Sequence, residues 1–447
     1  MAEQKATWDV AIIGGGGAGL AVAAACLESG QRVVLFERDA PGGSLRQDLA
    51  TEALLAAARG AALSGRVPAM PRQAEAAGGD LLAPFRARGL EVVPASAHFI
   101  APDRLEAAGR SYPFRNAVIA AGRAPLVPDL YGLAAVPWLT PESLPVLEES
   151  PEHLLILGGE AEAVEIAQAH ALLGRRVSLV TPEPNILPGQ ELELVVPLRE
   201  ALRRAGVTLH ENAAVLTVEH AGAGVALLLE GGARLEGSHL VLAMGHAPRL
   251  APLDLPAGQV EATARGVTVR EDLRSTTNRR VWAAGWAADT GLPAAAAGQH
   301  AAVVADGMLR GLRARLSQVA PPRLVRSLPA LAQLSMTEAE ARAAGHDPQL
   351  LRVPLPDGLF GLEQAKLVAD RQGRLLGAAV LAERAGEVAA LLALAADQGL
   401  TGAEIAALPL PHGTLAASIA RAAGNLRGTE FPSPPMRRIL GVLDRWK

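Results

Sequence analysis

Residues 8–37 read WDVAIIGGGGAGLAVAAACLESGQRVVLFE. An apolar run breaks into four glycines, passes into an alanine-rich stretch and returns as a second apolar run ending in Glu37. That order predicts strand, tight turn, helix and parallel strand, a βαβ start. Gly14, Gly16 and Gly19 form GxGxxG directly after the first strand, and Glu37 closes the second strand 23 residues beyond Gly14. The first glycine allows the tight turn, the second lets backbone approach a pyrophosphate, and the third permits close helix–sheet packing. The helix amino terminus then faces the phosphates, and Glu37 can accept hydrogen bonds from a ribose. Strand, spacing and acid together point to a dinucleotide site more strongly than a glycine turn alone.

Outward from this stretch the same grammar recurs. Residues 153–181, HLLILGGEAEAVEIAQAHALLGRRVSLVT, again read as strand, turn, helix and strand, which predicts a second dinucleotide-type domain. NAVIAAG at 116–122, SHLVLAMG at 238–245 and RRVWAAG at 279–285 read as further parallel core strands that end in glycine turns. Beyond residue 318, SQVAPPR marks a proline-rich break, and helices then alternate with half-buried strands. Thr337 and Glu340 have the spacing of a capping box.

Composition narrows the function. A chain of 447 residues, half of them hydrophobic, exceeds one compact core. The net charge of −4 without a basic block argues against a nucleic-acid partner and for small-molecule chemistry. The polar opening before Asp9 lacks a signal-peptide pattern, and no apolar run spans a bilayer, so cytoplasmic residence is expected. Cys26 is the only cysteine and sits in the alanine-rich helix, where it reads as a small hydrophobe.

The order GGGGAG, FER, GGS, NAVIAAG, a second βαβ, RRVWAAG, then TEAEA and PHGTLAA resembles the flavoprotein disulfide reductases, such as dihydrolipoamide dehydrogenase and mercuric reductase, over nearly the whole chain. The resemblance implies an α/β fold with two Rossmann-like domains, the FAD domain discontinuous, plus a C-terminal α+β dimerisation domain. The expected limits are 1–148 and 264–318 for the FAD domain, 149–263 for the NAD(P)-like domain and 322–447 for dimerisation. It implies FAD as cofactor and a homodimer. By position it assigns cofactor contacts to Gly14, Gly16, Gly19, Glu37, Arg38, Gly43, Ser44, Ala121, Gly122, Gly285 and Trp286.

The departures are equally specific. Family members follow the GG turn with a cysteine pair and then a lysine; this chain has GGSLRQDLATEALL, without either cysteine and with Glu52 in the place of the lysine. Electrons cannot pass through a disulfide whose sulfurs do not exist. Glu165 matches the glutamate that would pair with that lysine, so Glu52 and Glu165 are candidate proton-active groups if the family geometry holds. His412 in PHGTLAA matches the family's catalytic histidine, but Ala417 replaces its orienting glutamate. In the second motif Gly158 and Ala163 fit, while Glu160 replaces the middle glycine and Thr181 ends the following strand. A carboxylate there opposes a pyrophosphate in both bulk and charge. Trp286 replaces the aspartate that would bind the ribityl chain.

Three functions fit these changes, beside a weaker fourth in which Trp286 closes the site and the chain is a scaffold without flavin. The first is an FAD oxidoreductase that exchanges electrons with a substrate, protein partner or quinone rather than NAD(P)H. The second is an NAD(P)H-dependent flavin reductase of a small electrophile, and the third a non-catalytic flavin-binding subunit. The tail SPPMRRILGVLDRWK reads as a helix docked on its own protein or its dimer partner in preference to a membrane-surface helix.

Overall fold

A computed structural model describes residues 7–66, 80–144, 151–291, 297–312, 314–316, 320–355 and 361–426. The chain divides into two compact units, Met1–Asn185 with Gly206–Ser317, and Ile186–Ala205 with Gln318–Lys447. The tail at 427–447 lies outside the described residues.

In the first unit, the quoted stretch forms the strand Trp8–Ile13, the helix Gly17–Glu28 and the strand Val33–Phe36. The strand order runs Glu91–Val93, Val33–Phe36, Trp8–Ile13, Arg110–Ile119, all parallel, with Val281–Ala283 joining the far side of Arg110–Ile119. Val33 to Phe36 are all buried, as expected of a parallel sheet covered on both faces. The chain therefore leaves this sheet after Ile119, builds another, and returns 162 residues later at Val281.

The intervening sheet has the parallel order Val207–His210, Arg176–Val180, His153–Leu157, His239–Leu242. The helix Ala161–Leu172 follows its first strand, and Ser44–Ser64 packs on that helix through Leu54, Ala58 and Ala61 against Ala169 and Leu173. Two short connections, Arg123–Pro125 and His246–Pro248, pair antiparallel where the chain crosses between the sheets.

The second unit is a five-stranded antiparallel sheet, in the order Arg323–Val325, Ala330–Ser335, Leu375–Ala382, Gln364–Ala369, Gln349–Pro354. The helices Ala385–Asp397 and Leu415–Ala423 contribute to its core. The capping box forms: Glu340 N donates to Thr337 Oγ1 at 3.2 Å, and Thr337 N donates to Glu340 Oε2 at 2.8 Å.

Residues 186–205 cluster with this second unit. Lys366, 1% exposed, donates to Glu191 at 2.9 Å, Glu193 at 2.9 Å and Glu338 at 2.7 Å. Arg352 adds two hydrogen bonds to Glu193, which, aided by Lys366 and against its partial burial, hold that carboxyl at about 2. One buried ammonium thus bridges three carboxylates that would otherwise repel.

Candidate functional site

In the first motif, Gly14 has φ +104°, and its N–H donates to Phe36 O at 2.9 Å. An added Cβ would lie 2.2 Å from Ala120 O, and one on Gly19 would lie 2.0 Å from Gly14 O. Both glycines are required by the protein's own backbone. Gly16 is different: its φ of −78° and ψ of −175° suit any residue, and nothing lies within 4 Å of an added Cβ. It caps the helix Gly17–Glu28 without a side-chain bond and leaves the turn bare at the helix start, as at an anion-binding turn.

Gly42 N donates across the turn to Gly15 O at 2.9 Å, and Gly43, at φ +46°, brings its bare Cα side to Gly16. The Ser44 backbone opens the next helix; its side chain is outside the described residues. Glu37 accepts from Gly15 N at 2.7 Å and from Asp39 N at 2.9 Å, which fixes the carboxylate yet leaves lone pairs for a ligand. A cleft runs past Gly14, Glu37, Arg38, Ala97 and Ala121. Arg38 is drawn aside by Asp39 at 2.7 Å, and Gly122 turns the chain at φ +72°.

The second motif repeats this backbone. Gly158 has φ +136°, donates to Val180 O at 2.8 Å, and an added Cβ would lie 2.0 Å from Ala243 O. Glu160 caps the helix Ala161–Leu172 with φ −79° and ψ 176°, is exposed, and makes no capping bond. Thr181 stands where Glu37 stands: its Oγ1 accepts from Glu183 N at 3.2 Å.

Beside the helix of the second motif lies a cluster the sequence reading missed. Arg123 Nη2 donates to Glu162 Oε1 at 2.5 Å, and its guanidinium lies 5.1 Å from the centre of the Trp286 ring. His246 Nε2 donates to Glu142 Oε1 at 2.8 Å, its Nδ1 is 3.6 Å from Glu162 Oε2, and its ring is 6.0 Å from that of Trp286. Burial alone would raise the Glu142 carboxyl, but hydrogen bonds with His246 and Thr140 hold it at about 2. Behind Trp286, Gly285 N donates to Nδ1 of His300 at 3.0 Å. His300 is 2% exposed, and burial lowers its pKa to about 4. A signal for the cluster was present in the sequence: Gly-Arg-Ala-Pro at 122–125 and Gly-His-Ala-Pro at 245–248 place a basic residue at each crossing.

The remaining candidates stand in contrasting surroundings. Glu165 is 3% exposed in its helix, whereas Glu52 is exposed. His412 lies in an exposed turn, with Gly413 at φ +79°, ahead of the helix that Thr414 caps through Ala417 N. Cys26 is fully buried, and burial pushes its thiol up to about 12, so it is inert packing.

Two nucleotide-type sheets joined by paired crossings, with a separate antiparallel unit, define the class of two-dinucleotide flavoproteins. Residues 8–302 match the pyridine nucleotide-disulphide oxidoreductase family and residues 321–423 its dimerisation domain, and the chain belongs to that family. It is 32% identical to a mercuric reductase of Streptomyces lividans over 95% of this chain and 97% of that one. It is 30% identical to a dihydrolipoyl dehydrogenase of Thermus scotoductus over 75% of each. Among solved structures, the HOCl-induced flavoprotein disulfide reductase RclA of Escherichia coli, as its Cu(II) complex, superposes with a TM-score of 0.82 at 23% identity, over 92% of this chain and 99% of that one. LpdA of Mycobacterium tuberculosis gives 0.82 at 22%, over 94% and 99%. Flavoproteins of this family bind FAD, and the first motif fits it: a bare Gly16 at an uncapped helix start with a fixed acid at Glu37. No helix among the described residues is long and apolar enough to cross a membrane.

Proposed function

We propose that this chain is an FAD-dependent oxidoreductase that works without a disulfide, taking electrons from a donor other than NAD(P)H and passing them to a protein partner, a quinone or another acceptor. The observation that carries the reading is Cys26, the only cysteine, fully buried and with its thiol held protonated. No dithiol can be formed within one chain. Glu160 supports the second half of the reading, because it puts an acidic residue at the helix cap that a pyrophosphate would approach.

Residues 1–148 and 264–318 would form the FAD domain and 149–263 the degenerate nucleotide domain, with 322–447 pairing two copies as a cytoplasmic homodimer. Bound FAD supplies the two-electron carrier. The Gly16 turn would cradle the pyrophosphate, and Glu37 would accept from ribose hydroxyls. Arg38, Gly43, Ser44, Ala121, Gly122, Gly285 and Trp286 would line the rest of the site. His412, Glu52 and Glu165 are the candidate proton-exchanging groups. One observation favours the NAD(P)H-dependent alternative: Glu160 adopts the same backbone as Gly16, so the main chain of the second turn keeps the shape of the first.

The test is the anaerobic visible spectrum of the purified protein before and after NADH or NADPH. A flavin band that persists is the expected result. Rapid bleaching would establish the nicotinamide-dependent reductase, and a colourless protein would exclude both enzymatic readings.

A further inference from the structure

We propose that Glu162, locked by Arg123 and His246 against Trp286, is the main determinant that keeps nicotinamide nucleotides off the second motif, ahead of the more conspicuous Glu160. The inference rests on the reading above, in which NAD(P)H is not the donor, and names the residues responsible.

Glu160 is exposed at the helix cap, with no side-chain bond to hold it in the turn. A flexible carboxylate there can swing into solvent as a nucleotide arrives. Glu162 cannot. It lies in the first turn of the same helix, where its charge opposes the positive end of the helix dipole that would attract phosphate. Its oxygens are engaged by Arg123 at 2.5 Å and approached by His246 at 3.6 Å.

The residues that hold Glu162 come from both crossings between the two sheets. Arg123 follows the Gly122 turn and pairs through its strand with Pro248; His246 follows the Gly245 turn and pairs with Pro125. Trp286, from the segment that returns to the first sheet, stacks 5.1 Å from Arg123. Glu142 fixes the outer nitrogen of His246, whose side chain is only 5% exposed. Two nucleotides that exchange a hydride must bring their reactive rings together between the carboxyl ends of their sheets. That region is crossed here by an ion pair, a histidine–carboxylate bond and an indole, all mutually fixed. Arg123 Nε and Glu142 Oε2 are buried without a hydrogen-bond partner among the described residues.

Removing Glu162 unlocks Arg123 and frees a cation beside the helix start, so the blocked turn gains a phosphate-binding group. The experiment is isothermal titration of the flavin-loaded protein with NADH and NADPH, comparing the native chain, Glu160→Gly, Glu162→Ala and the double variant. The native chain and Glu160→Gly are expected to bind weakly and alike, and both Glu162 variants at least about ten-fold more tightly. Equal gains from Glu160→Gly alone, or no gain from either Glu162 variant, would overturn the assignment while leaving the donor reading intact. Tight binding by the native chain would overturn both. Glu162→Gln, which keeps the side-chain volume, makes the same comparison should the alanine variant lose its flavin spectrum.

Discussion

Gly16 and Glu160 cap two helices with almost the same backbone, φ −78° and ψ −175° against φ −79° and ψ 176°. Around them the two turns agree in their steric demands: an added Cβ would strike a neighbouring strand's carbonyl at 2.2 Å from Gly14 and at 2.0 Å from Gly158. They differ wherever the protein has no demand of its own. Gly16 faces open space, and Glu37 ends its strand as an acid, while the second motif has Glu160 and Thr181 at those places. Folding therefore accounts for the turn itself, while no packing contact explains the bare cap at Gly16, and Glu37, which holds Gly15 N and Asp39 N, keeps further lone pairs for a ligand. The second motif has the glycine its sheet requires and differs from the first at the helix cap and the strand end.

The largest effect should break both halves equally. Gly14→Ala and Gly158→Ala each place a Cβ against backbone at positive φ, and each is expected to cost ~3–5 kcal/mol, read as a lowered unfolding midpoint. If Gly158→Ala were harmless, the second turn would not be under the same constraint.

Next comes the exchange of the differing positions. Gly16→Glu, which writes the second motif into the first, should leave the fold's stability within about 1 kcal/mol but reduce flavin affinity about 100-fold, measured as flavin retained per protein after dialysis. A destabilised fold instead would mean that the open space at Gly16 belongs to packing.

A third test uses the buried histidine on each side. Burial holds both His300, behind the Gly285 turn, and His170, in the helix of the second motif, at about 4, below the ordinary value near 6.5. Folding therefore favours their neutral forms; this stability is complete above about pH 6.5 and is lost as pH falls toward 4. Each should remove ~2 kcal/mol by pH 5. His300→Asn keeps an acceptor for Gly285 N but does not titrate, and it should halve that pair's share of the difference between unfolding at pH 7 and at pH 5. An unchanged difference would show that His300 is not held neutral.

The smallest effect is expected from Glu37→Thr, which reproduces Thr181. It removes one anchored carboxylate and should weaken flavin binding by ~1–2 kcal/mol, about ten-fold, with no change in the first sheet.

Local chemistry was legible where spacing alone dictates contact. Gly14, Gly16 and Gly19 lie within two turns of chain, so their roles in turn, cap and helix packing follow from the motif. Thr337 and Glu340 close their capping box for the same reason. The absence of a dithiol needed only a count of cysteines. Two related dinucleotide-type units and a separate α+β unit were written in repeated apolar runs and one proline-rich break, whereas the return of the chain to the first sheet was implied only by the family resemblance, and the antiparallel order of the last sheet came from the structure. What only the tertiary structure decided are meetings of distant residues. Glu191 and Lys366, 175 residues apart, place the helix Leu192–Arg204 with the second unit. Arg123, Glu142, Glu162, His246 and Trp286 come from five separate segments to make one cluster. The sequence carries the local periods that set each element, but an ion pair across a fold depends on how those elements pack, and no spacing along the chain records that.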